Sequence, residues 1–245
     1  MAEFTIHYND FNGAVISVST TELPDPSAID LLIQQLNQEQ KSLIWVTLAR
    51  EQSGFIPLFT QKGFVFHLCN ENELTLIFRI QKNAYAPFAP THTLGVGGLV
   101  LNDKAEVLLI RDKWMNGKGF KLPGGYVDLG ESLNKAAERE VFEETGIQAS
   151  FTSIVSVITK HPHNFGKSNA YIVCRLSPST SLIDIQDTDE IELATWMNPA
   201  DFLTDDSSSK FHRHLVATLL NKQGLFFDTF NFNDPTSDKE MYSVG

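Results

Sequence analysis

The sequence predicts an α/β fold in two parts, a small α/β unit followed by a larger one. Three observations lead there. Short runs of alternating apolar residues, of strand length, recur along the chain. Segments with helical apolar spacing, bounded by cap and stop residues, fall between them. The stretch NAYAPFAPTH, from Asn83 to His92, carries two prolines and reads as a junction. The expected division is a unit over residues 1–85, a linker over 86–92, a main domain over 93–227 and a tail over 228–245.

In chain order, residues 11–19 read as a strand that Pro24 and Pro26 end. Ser27 is placed to cap a helix reaching about residue 39, with Ile29, Leu32, Ile33 and Leu36 on one face. Residues 42–48 form an apolar strand, 52–61 a short helix despite Pro57, and 64–69 and 74–80 two strands about an Asn70-Glu71-Asn72 turn. In the second part, 94–101 and 105–111 read as a hairpin turning at Asn102-Asp103. Gly95, Gly97 and Gly98 fail the phosphate-loop pattern and precede no helix, so close backbone packing is the better reading. Residues 113–119 form a loop holding Trp114, and 149–159, 170–176 and 191–197 are strands. Residues 199–203 and 210–220 are helices, and the polar tail after Phe227 reads as loosely held.

Composition sets bounds. A chain of 245 residues can bury a proper core. A net charge of −11 disfavours nonspecific binding to nucleic acid or an anionic membrane. It permits an anionic substrate where a bound cation inverts the local field. Cys69 and Cys174 make no disulfide framework, which points to a reducing, cytoplasmic setting. The first ten residues lack a basic start and an apolar run, so no signal peptide is expected, and no apolar stretch approaches the roughly 20 residues of a membrane span.

The chemistry concentrates between Gly125 and Ile147. Six carboxylates crowd there (Asp128, Glu131, Glu138, Glu140, Glu143 and Glu144) against two cations, Lys135 and Arg139. The second half reads as a helix that Ser132 or Glu131 can cap and Gly146 can end. At about 100° per residue, Leu133, Ala136, Ala137, Glu140, Val141 and Glu144 share one face, and Glu143 borders it. The apolar start of that face must be buried, so its acidic end is drawn toward the protein body. Crowded carboxylates that lose water repel one another, and a hard divalent cation with oxygen ligands, Mg²⁺ or Mn²⁺, relieves them. Such cations partner phosphates.

The spacing is more specific than the composition. Gly125, five residues, Glu131, seven residues, then Arg139-Glu140-Val141-x-Glu143-Glu144-x-Gly146-Ile147 matches all nine fixed positions of the Nudix box, and Leu122-Pro123-Gly124-Gly125 matches its lead-in. The chain resembles a Nudix hydrolase, which implies an α/β/α sandwich with a mixed sheet. Phe165-Gly-Lys167-Ser168 also resembles the FGKSD segment of one Nudix branch, although Asn169 stands where that branch has an acid. The branch contains antisense-fibroblast-growth-factor-type proteins and plant ADP-ribose and NADH pyrophosphatases. Its members carry a small domain ahead of the box, similar to an acetyltransferase in element order. Here only a partial match to the acetyl-CoA pyrophosphate loop, around Arg50 to Phe55, is present.

The resemblance implies residue roles. Glu140 and Glu144 would hold the metal, with Glu143 a third ligand directly or through water, and the Gly124 carbonyl completing the set. Glu143, Glu144, Arg139 and Glu190 would carry catalysis, Arg139 by orienting the glutamates through paired hydrogen bonds. Glu131, Gly125 and Gly146 would support the site. The general base stays open among Asp187, Asp189, Glu190 and Glu192, with Glu190 the best match. Arg111, Phe120, His161, Phe165 and Lys167 are the substrate-contact expectations, since Lys167 suits a phosphate and an aromatic ring suits a base. A metal site on His161 and His163 lacks an obvious third ligand. The implied activity is metal-dependent cleavage of a nucleoside diphosphate linked to another group, ADP-ribose or NADH, with a small-molecule nucleotide as partner and a homodimer as the assembly. Two alternatives remain: a nucleotide sensor without hydrolysis, or a hydrolase of another dinucleotide or an oxidised nucleotide.

Overall fold

The computed structural model describes residues 4–19, 22–228 and 239–244, with Phe165 described at the backbone only. The chain divides into two compact units, Met1–Pro90 and Thr91–Gly245.

The first unit is a five-stranded sheet. Its strands are β1 (Phe4–Tyr8), β2 (Gly13–Val18), β3 (Leu43–Ala49), β4 (Val65–Cys69) and β5 (Glu73–Arg79), in the spatial order β1-β2-β3-β5-β4. Only β2 and β3 run parallel, and helix α1 (Pro26–Gln38) makes their crossover. The core of this unit gathers Ile16, Ile29, Leu36, Ile44, Val46, Leu48, Phe59 and Leu76. Strand β1 is an addition to the expected order. Asp25 caps α1 in place of Ser27: Pro26 has no N–H, so the first amide to be satisfied is that of Ser27, and it donates to Asp25 Oδ1 at 2.9 Å. The expected short helix is a 3₁₀ segment (Arg50–Phe55) running into α2 (Ile56–Gln61), with Pro57 tolerated in the first turn.

The second unit holds strands β6 (His92–Val100), β7 (Val107–Asp112), β8 (Ala149–Lys160), β9 (Ser168–Pro178) and β10 (Ile191–Met197). β6 runs parallel to β9, β8 is antiparallel to β9, and β7 pairs with β10. The expected hairpin over 94–111 is corrected. β6 and β7 pair only through the bridge Leu101 to Val107 among the described residues, and then each joins a different partner strand. Helix α3 (Leu133–Thr145) covers one side of this layer, packing Ala136, Ala137 and Val141 with Val96, Val100, Leu108 and Cys174. Helices α4 (Pro199–Thr204) and α5 (Lys210–Leu219) cover the other, where Phe202, Val216 and Leu219 meet Leu99, Leu109 and Val173. The alternation of neighbouring residues between the two clusters makes this an α/β/α sandwich. The close-packing reading of the β6 glycines holds: a Cβ on Gly97 would lie 2.0 Å from the Tyr171 hydroxyl.

The ends of α3 are fixed by distant chain. Gly146 ends it in the left-handed region, at φ 72°, and a side chain there would meet the Asp184 carbonyl. At the start, the Ser132 hydroxyl donates to Asn134 Oδ1 and makes no cap. The cap comes from the tail, where Glu240 Oε2 accepts from Leu133 N at 3.1 Å. β12 (Met241–Ser243) pairs with β11 (Phe226–Asp228), and the Tyr242 ring packs against Phe151 and Phe227. Residues 239–244 are therefore docked, against the expectation of a loose tail, while 229–238 lie outside the described residues. Glu240→Ala is expected to lower stability by about 1 kcal/mol, the usual value of a helix cap, measured as a shift in the urea midpoint. No shift would show that the tail does not cap α3.

Candidate active site

The last two turns of α3 carry the acidic end of its buried face. Glu144 is only 4% exposed, and Glu140 is mostly covered, whereas Glu143 borders the face and is nearly half exposed. Opposite them lies the segment Pro123 to Gly125, tied to β6 by Gly98 N to Pro123 O (2.8 Å) and Val96 N to Gly125 O (2.9 Å). Gly124 sits at φ 149°, where a side chain would strike the Val96 carbonyl. This lets the Gly124 amide donate to Glu144 Oε2 at 2.5 Å. A Cβ on Gly125 would lie 2.7 Å from the Glu140 carboxylate, so glycine there lets that carboxylate lie against the backbone. Burial pushes Glu144 up to about 8, against the opposing pull of Lys121 and the Gly124 amide. Burial also raises Glu140, and Arg139 opposes it.

Arg139 organises the carboxylates. Its Nε and Nη2 form a fork on Glu131, both at 2.8 Å. Nη1 donates to Glu140 at 2.9 Å and Glu143 at 3.0 Å, and Nη2 also reaches the Tyr126 carbonyl at 3.1 Å. All five guanidinium N–H groups are therefore engaged. The fork holds Glu131 below the usual carboxylate range, and Glu131 in turn accepts from the Asp128 amide.

A loop after β9 closes the cleft by satisfying the end of α3. The amides of Asp184, Gln186 and Asp187 donate to the carbonyls of Thr145 and Glu143. Asp187 Oδ1 then accepts from the amides of Asp189 and Glu190, both at 3.1 Å, which forms a tight turn. Lys113 pins the far side: its amide donates to the Glu190 carbonyl and its ammonium to the Thr188 carbonyl. The result is a cleft of about 460 Å³ walled by Gly124, Tyr126, Glu140, Glu143, Glu144, Asp187 and Glu190. Asp189 and Glu192 are exposed and absent from its wall.

Sequence reading missed Asp112. Single oxygens of Asp112, Glu144 and Glu190 lie within 4.8 Å of one another. Asp112 Oδ2 meets Lys121 Nζ at 2.6 Å, while Oδ1 is buried with no hydrogen-bond partner among the described residues. A signal existed. Leu108, Ile110 and Asp112 alternate along β7, and Leu108 packs in the α3 cluster, so Asp112 falls on the side of the sheet that α3 covers.

The substrate-contact expectations are dispersed. The Arg111 guanidinium stacks on Phe120 at 4.4 Å and donates to the Gly119 carbonyl, with Phe120 itself buried. His161 Nδ1 lies 2.5 Å from Ser168 Oγ, and its ring meets His92 edge-on. Lys167 accepts from the His163 amide through its carbonyl. The Phe165 side chain lies outside what is described. The His163 ring contacts the Tyr126 hydroxyl at 3.2 Å, which links the 161–168 loop to the cleft wall. A second cavity, of about 560 Å³, shares Gly124 with the cleft and is lined by Lys121, Leu122, Lys160, Asn169, Tyr171 and Phe211, among others.

Comparison with known proteins agrees with the box and its geometry. A family model described as "NUDIX domain" matches residues 91–219, and one described as "Nudix hydrolase domain" matches residues 4–80. The chain belongs to the Nudix hydrolase family. It is 33% identical to Nudix hydrolase 2 of Arabidopsis thaliana over 196 residues, 77% of this chain and 70% of that protein. It is 32% identical to Nudix hydrolase 8 of the same plant, over 80% of this chain and 55% of that one. It is 40% identical to Nucleoside diphosphate-linked moiety X motif 6 of Xenopus laevis, over 54% of this chain and 63% of that one. The chain thus spans between just over half and 70% of the length of these relatives. No helix among the described residues is long and apolar enough to cross a membrane.

The Nudix residues present fit a divalent cation. The donors are carboxylate oxygens, one Asp112 oxygen is buried without a hydrogen-bond partner among the described residues, and burial raises Glu144 to about 8, a cost that a bound cation would relieve. A pH dependence follows. The unfolded chain releases the Glu144 proton in the ordinary carboxylate range, whereas the folded, metal-free chain keeps it to about 8. Between those values the folded state binds more protons, so stability falls as pH rises and levels off above about 8. Thermal melts in EDTA from about pH 5 to 9 should show this decline, and Glu144→Gln should flatten it relative to wild type. Identical slopes in the two proteins would contradict the burial of that carboxyl.

Proposed function

We propose that the protein is a divalent-metal-dependent hydrolase of nucleoside diphosphates linked to a second group, with ADP-ribose and NADH as the preferred class. One observation carries the reading: a buried carboxyl group, Glu144, stands with Glu140, Glu143 and Glu190 around a cleft that opens beside the Gly124 backbone, with an oxygen of Asp112 within 4.8 Å of Glu144 and Glu190. Glu140, Glu144 and the Gly124 carbonyl would hold Mg²⁺ or Mn²⁺, with Glu143 adding a direct or water-mediated contact. When bound, such a cation neutralises diphosphate oxygens and lowers the pKa of a coordinated water.

The protein's own groups do the rest. Arg139 fixes the directions of Glu131, Glu140 and Glu143 through its five donors. Glu190, held by the Asp187 turn and by Lys113, accepts at its carboxylate the proton of the attacking water. Water oxygen bonds to one phosphorus, the bridging P–O bond breaks, and the leaving phosphate departs with the bridging oxygen. ADP-ribose would give AMP and ribose 5-phosphate, and NADH would give AMP and reduced nicotinamide mononucleotide. The cavity that shares Gly124 with the cleft is large enough for the nucleoside end, with the apolar and aromatic walls of Leu122, Tyr171 and Phe211.

The test is a panel of nucleoside diphosphate compounds with Mg²⁺ or Mn²⁺, the products separated by chromatography. Metal-stimulated release of AMP from ADP-ribose or NADH is the expected result. Glu144→Gln should lower turnover by about a hundredfold or more with its fold retained by circular dichroism. Tight ADP-ribose binding without product from any compound would replace this reading with that of a nucleotide sensor.

A further inference from the structure

Lys121 occupies a position that the box motif does not specify. Its backbone is fixed by two hydrogen bonds with Ile110, each 2.9 Å, at the start of the segment that leads to Gly124. Its side chain is 23% exposed and its ammonium rests on Asp112, itself 13% exposed, at 2.6 Å. It lines the cavity that shares Gly124 with the acidic cleft, and its charge acts on Glu144 on one side and on His212 on the other.

Arg139, the cation beside the α3 carboxylates, is fully engaged. Arg139 spends all five donors on Glu131, Glu140, Glu143 and the Tyr126 carbonyl, so it meets a phosphate only by releasing a carboxylate. Lys121 offers three donors and has one partner among the described residues, Asp112. An ammonium on a flexible stem can turn about that partner, and a point charge suits a phosphate oxygen. In a protein of net charge −11, with a cleft walled by carboxylates, a diphosphate needs cationic contact beyond the metal.

We propose that Lys121 is a phosphate-binding cation, positioned by Asp112 on the wall of the cavity that adjoins the acidic cleft, where it grips the diphosphate of the substrate. This rests on the function proposed above and adds to it the residue that recognises the diphosphate. A purely structural role for the Lys121–Asp112 pair predicts a loss of stability and no selective loss of phosphate binding.

The experiment measures binding of ADP and of adenosine by calorimetry in Mg²⁺ buffer, and steady-state hydrolysis of ADP-ribose. Wild type is compared with Lys121→Met, Lys121→Arg and the double variant Asp112→Asn/Lys121→Met. The double variant removes both charges, so no carboxylate is left buried and unpaired if Lys121→Met alone fails to fold. ADP affinity should fall at least tenfold in Lys121→Met and in the double variant, with adenosine affinity unchanged, and Lys121→Arg should recover most of the loss. KM for ADP-ribose should rise in step with the ADP dissociation constant. Equal losses for ADP and adenosine, unchanged ADP affinity, or no ADP binding by wild type would each overturn the proposal. If wild type binds ADP through Lys121 but hydrolyses nothing, the hydrolase reading fails and this assignment stands. If wild type hydrolyses ADP-ribose and Lys121→Met matches it in KM, the reverse holds.

Discussion

The carboxyl of Glu144 lies inside the protein, and the surrounding structure is arranged around that fact. A glutamate in the last turn of an amphipathic helix reaches the interior only if the residues beneath it are small. Ala136, Ala137 and Val141 let α3 settle closely onto β6 and β8. It also needs a donor on the opposite wall. The Gly124 amide provides one, because glycine there tolerates a backbone that the Val96 carbonyl would deny to any side chain. Burial raises the Glu144 carboxyl to about 8, and the Gly124 amide offsets part of that cost.

The helix that carries these carboxylates is completed by chain far from it in sequence. Its first amide is satisfied by Glu240 and its last carbonyls by the amides of residues 184–187. The second of these matters for chemistry as well as stability. The loop that caps α3 is the one that delivers Asp187 and Glu190 to the cleft, so folding the helix end and assembling the acidic site are one event. Lys113 joins that loop to the end of β7, the strand that carries Asp112. The acidic residues that share the cleft therefore come from a helix, a strand and a capping loop held by backbone hydrogen bonds.

What the sequence disclosed follows the range of the interactions involved. The α3 face, its glycine stop and the strand character of β8, β9 and β10 are local patterns, and each is legible from neighbouring residues. The cap on α3 was not, because Ser132 and Glu131 look like caps and the true partner is more than a hundred residues away. The hairpin over 94–111 has a good turn, yet past the bridge Leu101–Val107 β6 pairs with β9 and β7 with β10, partners distant in sequence. Asp112 was hidden by its neighbour. Arg111 is the more conspicuous charge, but alternation turns Arg111 to the α5 side, onto Phe120, and leaves Asp112 facing the glutamates.

Arg139 and Lys121 play different electrostatic parts beside the acidic cleft. Arg139 is planar and fully engaged, so it acts as a fixed brace that sets carboxylate directions whether or not substrate is present. Lys121 has a flexible stem and, among the described residues, a single carboxylate partner, so its charge can be shared with something that enters. An all-arginine site would hold the acids rigidly and leave no donor for a phosphate, and an all-lysine site would lose the forked grip on Glu131. One of each lets the same cleft stay assembled without ligand and still offer positive charge beside Gly124, where the acidic wall and the more apolar cavity meet.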